Sequence, residues 1–291
     1  MSAPVELPQP VAETPPVARR RGRLPATLVV GVVLLAAVLA VGAVSLVWLP
    51  YELSDTSGGR LEPPNAQHWL GTDTLGRDTA SYVMAGTRIA LTVGLGSAAI
   101  AMVVGVAVGL LAAFSTGWRD DVQSSLLDVL IAFPTLLLAM LIGAARGASL
   151  TTAVVSIGLA ASAIIARLTR VLAKRLLGRQ FVTAARTSGT SWLGIVRLHL
   201  LPNMWPTLVV AGALIFGTAV LTEASLSYLG LGVPPPNSSL GRLLQEAQST
   251  VLTAPTAAIA PGVVIVLIVL GANFLADGLR ERLDPTRRER A

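Results

Sequence analysis

The chain has 291 residues, of which 53% are hydrophobic and 13% charged, and its mean hydropathy is +0.69. A soluble domain carries about 25% charged residues, so these values exclude an ordinary soluble or disordered chain and indicate a membrane protein. It has no cysteine and two histidines far apart, His68 and His199, which excludes disulfides and thiolate chemistry and argues against a histidine metal centre or a Ser-His-Asp triad.

Residues 1–23 are rich in Pro, Ala and Val and end in Arg19, Arg20, Arg21 and Arg23, which predicts a disordered tail with an anchoring charge cluster. The apolar run that follows, Leu24–Leu49, is longer than the about 7–15 residues of a signal-peptide core, so a retained first span is expected. Residues 50–88 form a long connection. A second span is expected over Ile89–Trp118. The third, Val122 to Ala145, carries Asp128, and the fourth, Ala148–Ala166, follows so closely that the two read as a helical hairpin around Arg146. The fifth runs from Trp205 to Leu229 with Glu223 near its end, and the sixth from Val251 to Ala276, interrupted by Pro255 and Pro261. Pro134 and Pro261 are expected to kink or break their spans. Gly105 and Gly109 make a G-x-x-x-G that permits close helix approach, with ordinary packing the default and a subunit interface the alternative.

The fold expected is therefore all-α, with six transmembrane helices over residues 24–279 and a basic tail over 280–291. Placing both termini in the cytoplasm puts 17 of the 22 Arg and Lys residues on the inner side, including all seven between Arg167 and Arg197. The formal charge of +6 and pI of about 10.9 are then topology signals, and nucleic acid is not an expected partner.

The inner segment 167–203 contains FVTAARTSGTSWLGIVRLHLLPN from Phe181 to Asn203. A short helix, Phe181–Ser188, is expected to stop at Gly189. Ser191 would cap a second helix, Trp192–Leu201, with Pro202 ending it before the fifth span. A helix–turn–helix of this kind suits docking into a soluble partner or resting on lipid headgroups.

Four acids are the remaining candidates. Asp73 and Asp78 lie in GTDTLGRD, where Thr72 and Asp73 would cap a turn and Asp78 would pair with Arg77 or Arg88. An acid at mid-helix costs about 2.5–3.5 kcal/mol in lipid, so Asp128 is expected to pair with Arg167 or Arg170 rather than touch substrate, and Glu223 to serve a gate or helix packing. No chain of buried acids suggests a proton relay. No G-x-x-x-x-G-K-[ST] loop surrounds Lys174, the single lysine, so ATP would have to be hydrolysed by a separate subunit.

The inner segment resembles the EAA loop of ABC importer permeases. The matching residues are Thr183, Ala184, Ala185, Gly189, Leu201 and Pro202, with Thr183 in place of the family's usual glutamate. His68–Leu95, DVLIAFP from Asp128, EASLSYLGLGVPPP from Glu223 and GLRERLDP from Gly278 are similar to the remaining signatures of the dipeptide and oligopeptide (C-type) group. The resemblance implies a bacterial inner-membrane permease that carries oligopeptides or dipeptides, with nickel or another small solute as the alternative within the family and a stand-alone channel or carrier as the alternative outside it. It also implies partners, namely a second permease subunit, two ATPase domains holding ATP and Mg, and an extracytoplasmic binding protein, and it puts Asp73 and Asp78 near the outer gate where that binding protein docks.

Overall fold

The computed structural model describes residues 24–234 and 237–283. The expected tails therefore lie outside the described residues, apart from the first four of the C-terminal tail. Among the described residues there is no strand; Thr72 and Asp78 form one isolated antiparallel bridge.

Among the described residues, five helices are long and apolar enough to cross a membrane. They are α1 (Ala26–Val44), α2 (Thr79–Ala113), α5 (Leu150–Leu177), α8 (Leu201–Tyr228) and α10 (Thr256–Leu283). The expected third span is two helices, α3 (Trp118–Ala132) and α4 (Thr135–Arg146), bent by 86° at the break. Phe133 is extended (ψ 125°), as steric conflict with the following Pro134 ring demands, and Pro134 then sits at the N-cap of α4. Counted as one span, the bent pair makes six.

Several boundaries differ from the hydropathy reading. Helix α2 begins ten residues before the expected Ile89, because Asp78 caps it and charged Arg88 is carried within the helix. Helix α5 runs on through the basic stretch to Leu177, so the irregular inner segment begins at Gly178, not near Arg167. Pro261 does not break α10, which starts just after Pro255 and continues to Leu283. Its last turn holds Arg280 and Arg282, where cations oppose the helix dipole favourably.

Without water to drive apolar association, helices in lipid are held by close van der Waals packing. Gly105 and Gly109 serve this: a Cβ on Gly105 would stand 2.6 Å from the Ile165 Cβ, and one on Gly109 would strike the Ala166 carbonyl and Thr169. The G-x-x-x-G thus joins α2 to α5 within the chain. A central core of Val38, Leu91, Phe216, Val220 and Ile268 ties α1, α2, α8 and α10 together.

At one end of the bundle sit residues 45–78 and a short helix α9 (Leu240–Ala247). At the other sit α6 (Gln180–Thr187) and α7 (Trp192–Ile195).

Candidate functional site

Helices α6 and α7 form a tight hairpin. Its turn is a Schellman motif: the Thr190 N–H donates to the Ala185 carbonyl and the Gly189 N–H to the Arg186 carbonyl, both at 3.0 Å. This requires the left-handed backbone that Gly189 supplies at φ 88°. The Ser188 hydroxyl closes further onto the Ala184 and Ala185 carbonyls. Ser191 then caps α7, accepting from the Gly194 N–H at 3.2 Å.

Val182, Ile195 and Leu200 are fully buried and anchor the hairpin in a core with Met204 and Leu208 of α8. The Trp192 ring meets Phe114, at the end of α2, edge-on at 5.1 Å, and the Arg186 guanidinium lies 4.4 Å from the Trp192 ring centre. The hairpin keeps open surface on both helices: Leu193 of α7 is 76% exposed, and Thr183 and Ala184 of α6 are exposed.

Pro202 does not end the second short helix. The chain passes from α7 through a π turn, Val196–Leu200, directly into α8, giving one continuous helix from Trp192 to Tyr228. Proline at this point lacks the N–H that would serve the Leu198 carbonyl, and the widened turn, in which Leu201 donates to the Val196 carbonyl, carries the helix past that gap. Leu201 and Pro202 are therefore part of a rigid rod that links the hairpin to the membrane core.

At the opposite end, Asp78 pairs with neither Arg77 nor Arg88. One oxygen accepts from the Ser81 N–H and hydroxyl, both at 2.8 Å, and the other lies 3.0 Å from Nδ1 of buried His68. Tyr51 packs on the His68 ring at 4.7 Å. Asp73 closes its own turn by accepting from the Leu75 and Arg77 N–H groups, and binds the Arg77 guanidinium at 2.5 Å. Arg77 also reaches Glu246 of α9 at 3.1 Å. Burial would lower the Arg77 pKa, but Asp73, Tyr82 and Glu246 outweigh it and hold it above its ordinary value. The cation is thus committed to fastening this loop to α9. Arg88 instead donates to the Ser45 carbonyl at 3.3 Å.

Within the bundle, Asp128 pairs with Arg167 at 3.2 Å, both half exposed. Arg170 and Lys174 converge on Asp120, tying α5 to the first turn of α3. Asp120 was not among the sequence candidates. Its signal is Arg170 and Lys174 themselves, four apart on one helix face and in need of an acid. Glu223 is fully buried. One oxygen accepts from the Ser227 hydroxyl at 2.7 Å, and the other makes no hydrogen bond within 3.5 Å, with the Ser239 hydroxyl the next polar group to it. Hairpin, loop cluster and Glu223 are separate places; the structure does not gather them into one pocket. Among the described residues no group of three or more His, Asp or Glu is placed to hold a metal ion.

Residues 105–289 match the family described as "Binding-protein-dependent transport system inner membrane component". A glutathione transport system permease protein of Pectobacterium atrosepticum is 40% identical over 224 residues, which cover 77% of this chain and 74% of the relative. A dipeptide transport system permease protein of Alkalihalophilus pseudofirmus is 34% identical over 258 residues, 88% and 85% of the two chains. A di/tripeptide transport system permease protein of Pseudomonas aeruginosa is 39% identical over 225 residues, 77% and 74%. The chain belongs to the family of binding-protein-dependent transport system inner membrane components, and it is a multi-pass permease of the bacterial inner membrane.

Proposed function

We propose that this chain forms half of the translocation pathway of an ATP-driven importer for short peptides. The observation that carries the substrate class is the naming of the relatives: dipeptide, di/tripeptide and glutathione transport permeases, matched over 74–85% of their length. Nickel and the stand-alone channel lack any such support.

In this reading both termini are cytoplasmic and the α6–α7 hairpin lies at the inner face, beside the basic ends of α5 and α10. The sequence offers no P-loop. ATP and Mg are therefore bound by two partner ATPase domains, and this chain contributes no catalytic residue. A second, similar permease completes the pathway, and an extracytoplasmic binding protein delivers the peptide to the end that carries Asp73 and Asp78.

The mechanism follows from the hairpin's mechanics. Closure of the ATPase domains would push on the exposed tip around Leu193. Buried Val182, Ile195 and Leu200 make the hairpin one body with α8, and the unbroken helix from Trp192 to Tyr228 carries the displacement to Glu223 at the far end. Two packings of the bundle, one open to each side, are what such a rod would interconvert. Thr183, where the family has glutamate, removes one charged contact from the docking face and leaves its apolar tip in place.

The test is mild extraction of the chain with mass spectrometry of what accompanies it, followed by uptake of labelled di- and tripeptides in vesicles. Recovery of a second permease and P-loop ATPases, with ATP-dependent uptake, is the expected result. Recovery of a lone chain or homo-oligomer overturns the importer reading. An assembled complex that takes up nickel and no peptide overturns the substrate.

A further inference from the structure

Glycines seat α1 against its neighbours. A Cβ on Gly31 would strike the Leu275 backbone and one on Gly278 the Leu28 backbone, so α1 lies flush on α10. Nearer the loop end, a Cβ on Gly42 would stand 2.7 Å from Cδ1 of Leu91 and 3.7 Å from Cα of Arg88, so α1 also meets α2. Between these contacts, α1, α2, α8 and α10 leave a groove of about 490 Å³. Every residue that lines it is apolar, among them buried Leu91 and Phe216 and half-exposed Leu39 and Leu95. Along α2 the lining runs from Leu91 to Met102, about 16 Å at 1.5 Å per residue. That is the depth of one leaflet in a hydrocarbon core about 30 Å thick. Along α1, α8 and α10 the lining is shorter still.

The loop end of this groove carries a cation. Arg88 stands one turn before Leu91 and two before Leu95 on the same face of α2. It donates to the Ser45 carbonyl, at the C-cap of α1, at 3.3 Å. Among the described residues it forms no ion pair with an acid. Most of its guanidinium N–H groups are therefore open. Trp48, one turn beyond Ser45, meets Trp69 with ring centres 6.3 Å apart, and both are about half exposed. Tryptophans of this kind sit at the headgroup level of a bilayer. Arg88 thus lies at the depth of lipid phosphates, to which long basic side chains snorkel.

We propose that this groove binds one phospholipid of the loop-end leaflet, with its phosphate on Arg88 and one acyl chain laid along α2. The planar guanidinium matches phosphate oxygens through two parallel N–H groups. The acyl chain restores dispersion contacts that an empty groove forfeits, and it completes the packing of α1 on the bundle. A helix of a second subunit fits less well. A spanning helix needs an apolar track through both leaflets, and it would set hydrocarbon against an unpaired arginine. Phosphatidylglycerol suits the site better than a zwitterionic lipid, because no ammonium offsets its attraction to the lone cation. The proposal rests on the membrane location of the chain and not on the importer reading.

The test uses the assembled complex in vesicles of phosphatidylethanolamine and phosphatidylglycerol, with a trace of phosphatidylglycerol that carries a photoreactive diazirine at mid-chain. After irradiation, lipid adducts on this chain are mapped by mass spectrometry of its peptides. Adducts on Ile259, Val263 and Val266, exposed on α10, report bulk lipid. Relative to them, adducts are expected to concentrate on Leu95–Met102 and Val209–Phe216. In Arg88→Gln that excess is expected to fall about tenfold, the equivalent of one charge-assisted contact, while the α10 adducts are unchanged. Arg88→Lys, which keeps the charge and loses the fork, is expected to retain part of the excess. Ala99→Phe fills the groove from α2, leaves Arg88 in place and is expected to abolish the excess as well. Assembly is checked by co-purification, and Ala99→Phe decides where Arg88→Gln does not assemble. Groove adducts no more frequent than those on α10, or an excess that survives both substitutions, mean bulk lipid only and overturn the site. Adducts on α10 with none in the groove put another subunit there and overturn it as well.

Discussion

Asp78 makes a single carboxylate serve two parts of the chain. It starts α2 by capping Ser81, and it holds buried His68, which fixes the loop above. Removing it leaves both a helix N-terminus and an imidazole without a partner. Asp78→Ala is expected to lower stability by about 1–2 kcal/mol, read as an earlier thermal unfolding of the detergent-solubilised complex. Asp78→Asn, which retains an acceptor oxygen, is expected to lose less. Gly189 is a different kind of residue. Nothing lies within 4 Å of where its Cβ would be, so alanine there meets no clash. It meets only the penalty of φ 88°, about 1 kcal/mol. Gly189→Ala is therefore expected to leave the bundle folded while loosening the hairpin. ATP-driven uptake should fall more than the yield of assembled complex, and equal loss of both would contradict a coupling role.

The hairpin and the rod behind it show what a sequence can and cannot reveal about an element. Gly189 and Ser191 announced the turn and the cap because each answers a local backbone demand, φ > 0 in one case and an orphan N–H in the other. Pro202 announced a break that is absent, because the cost of proline inside a helix is local whereas the π turn that absorbs it depends on Leu200 and Met204 being held in the core below. The spans themselves were legible from hydropathy. The start of α2 was not, since a span counted by apolar residues stops at Arg88 although the helix extends back to Thr79, where Asp78 caps it. Among the site residues, the turn was legible, while His68 as partner of Asp78 and Asp120 as partner of Arg170 were not. Those pairings join residues ten and fifty positions apart, and only the packed fold brings them together. At the scale of this element the sharpest test is Leu193→Asp. The side chain is 76% exposed, so the change should alter stability by no more than about 0.5 kcal/mol. Recovery of the ATPase subunits with the permease is expected to fall several-fold all the same, because an apolar side chain is replaced by a charge at the proposed docking tip. Undiminished recovery would place the docking surface elsewhere.

The whole molecule is a bundle with two unlike ends, and the assignment of those ends to the two sides of the membrane decides every role proposed above. One end holds Asp73, Arg77 and Glu246 in a network that fastens a loop to α9; the other holds the hairpin and the basic ends of α5 and α10. Arginine and lysine near span ends are retained in the cytoplasm, which argues that the hairpin end is inside. The native lack of cysteine makes the argument testable with one residue at a time. Leu75 is 61% exposed at the loop end and Leu193 76% exposed at the hairpin. In intact cells freed of an outer barrier, a membrane-impermeant thiol reagent is expected to modify Leu75→Cys and to spare Leu193→Cys, and in inverted vesicles the pattern should reverse. The reversed pattern in intact cells would turn the molecule over. The hairpin would then lie beyond the reach of any cytoplasmic ATPase, and the coupling role would fall whatever the uptake assay gave.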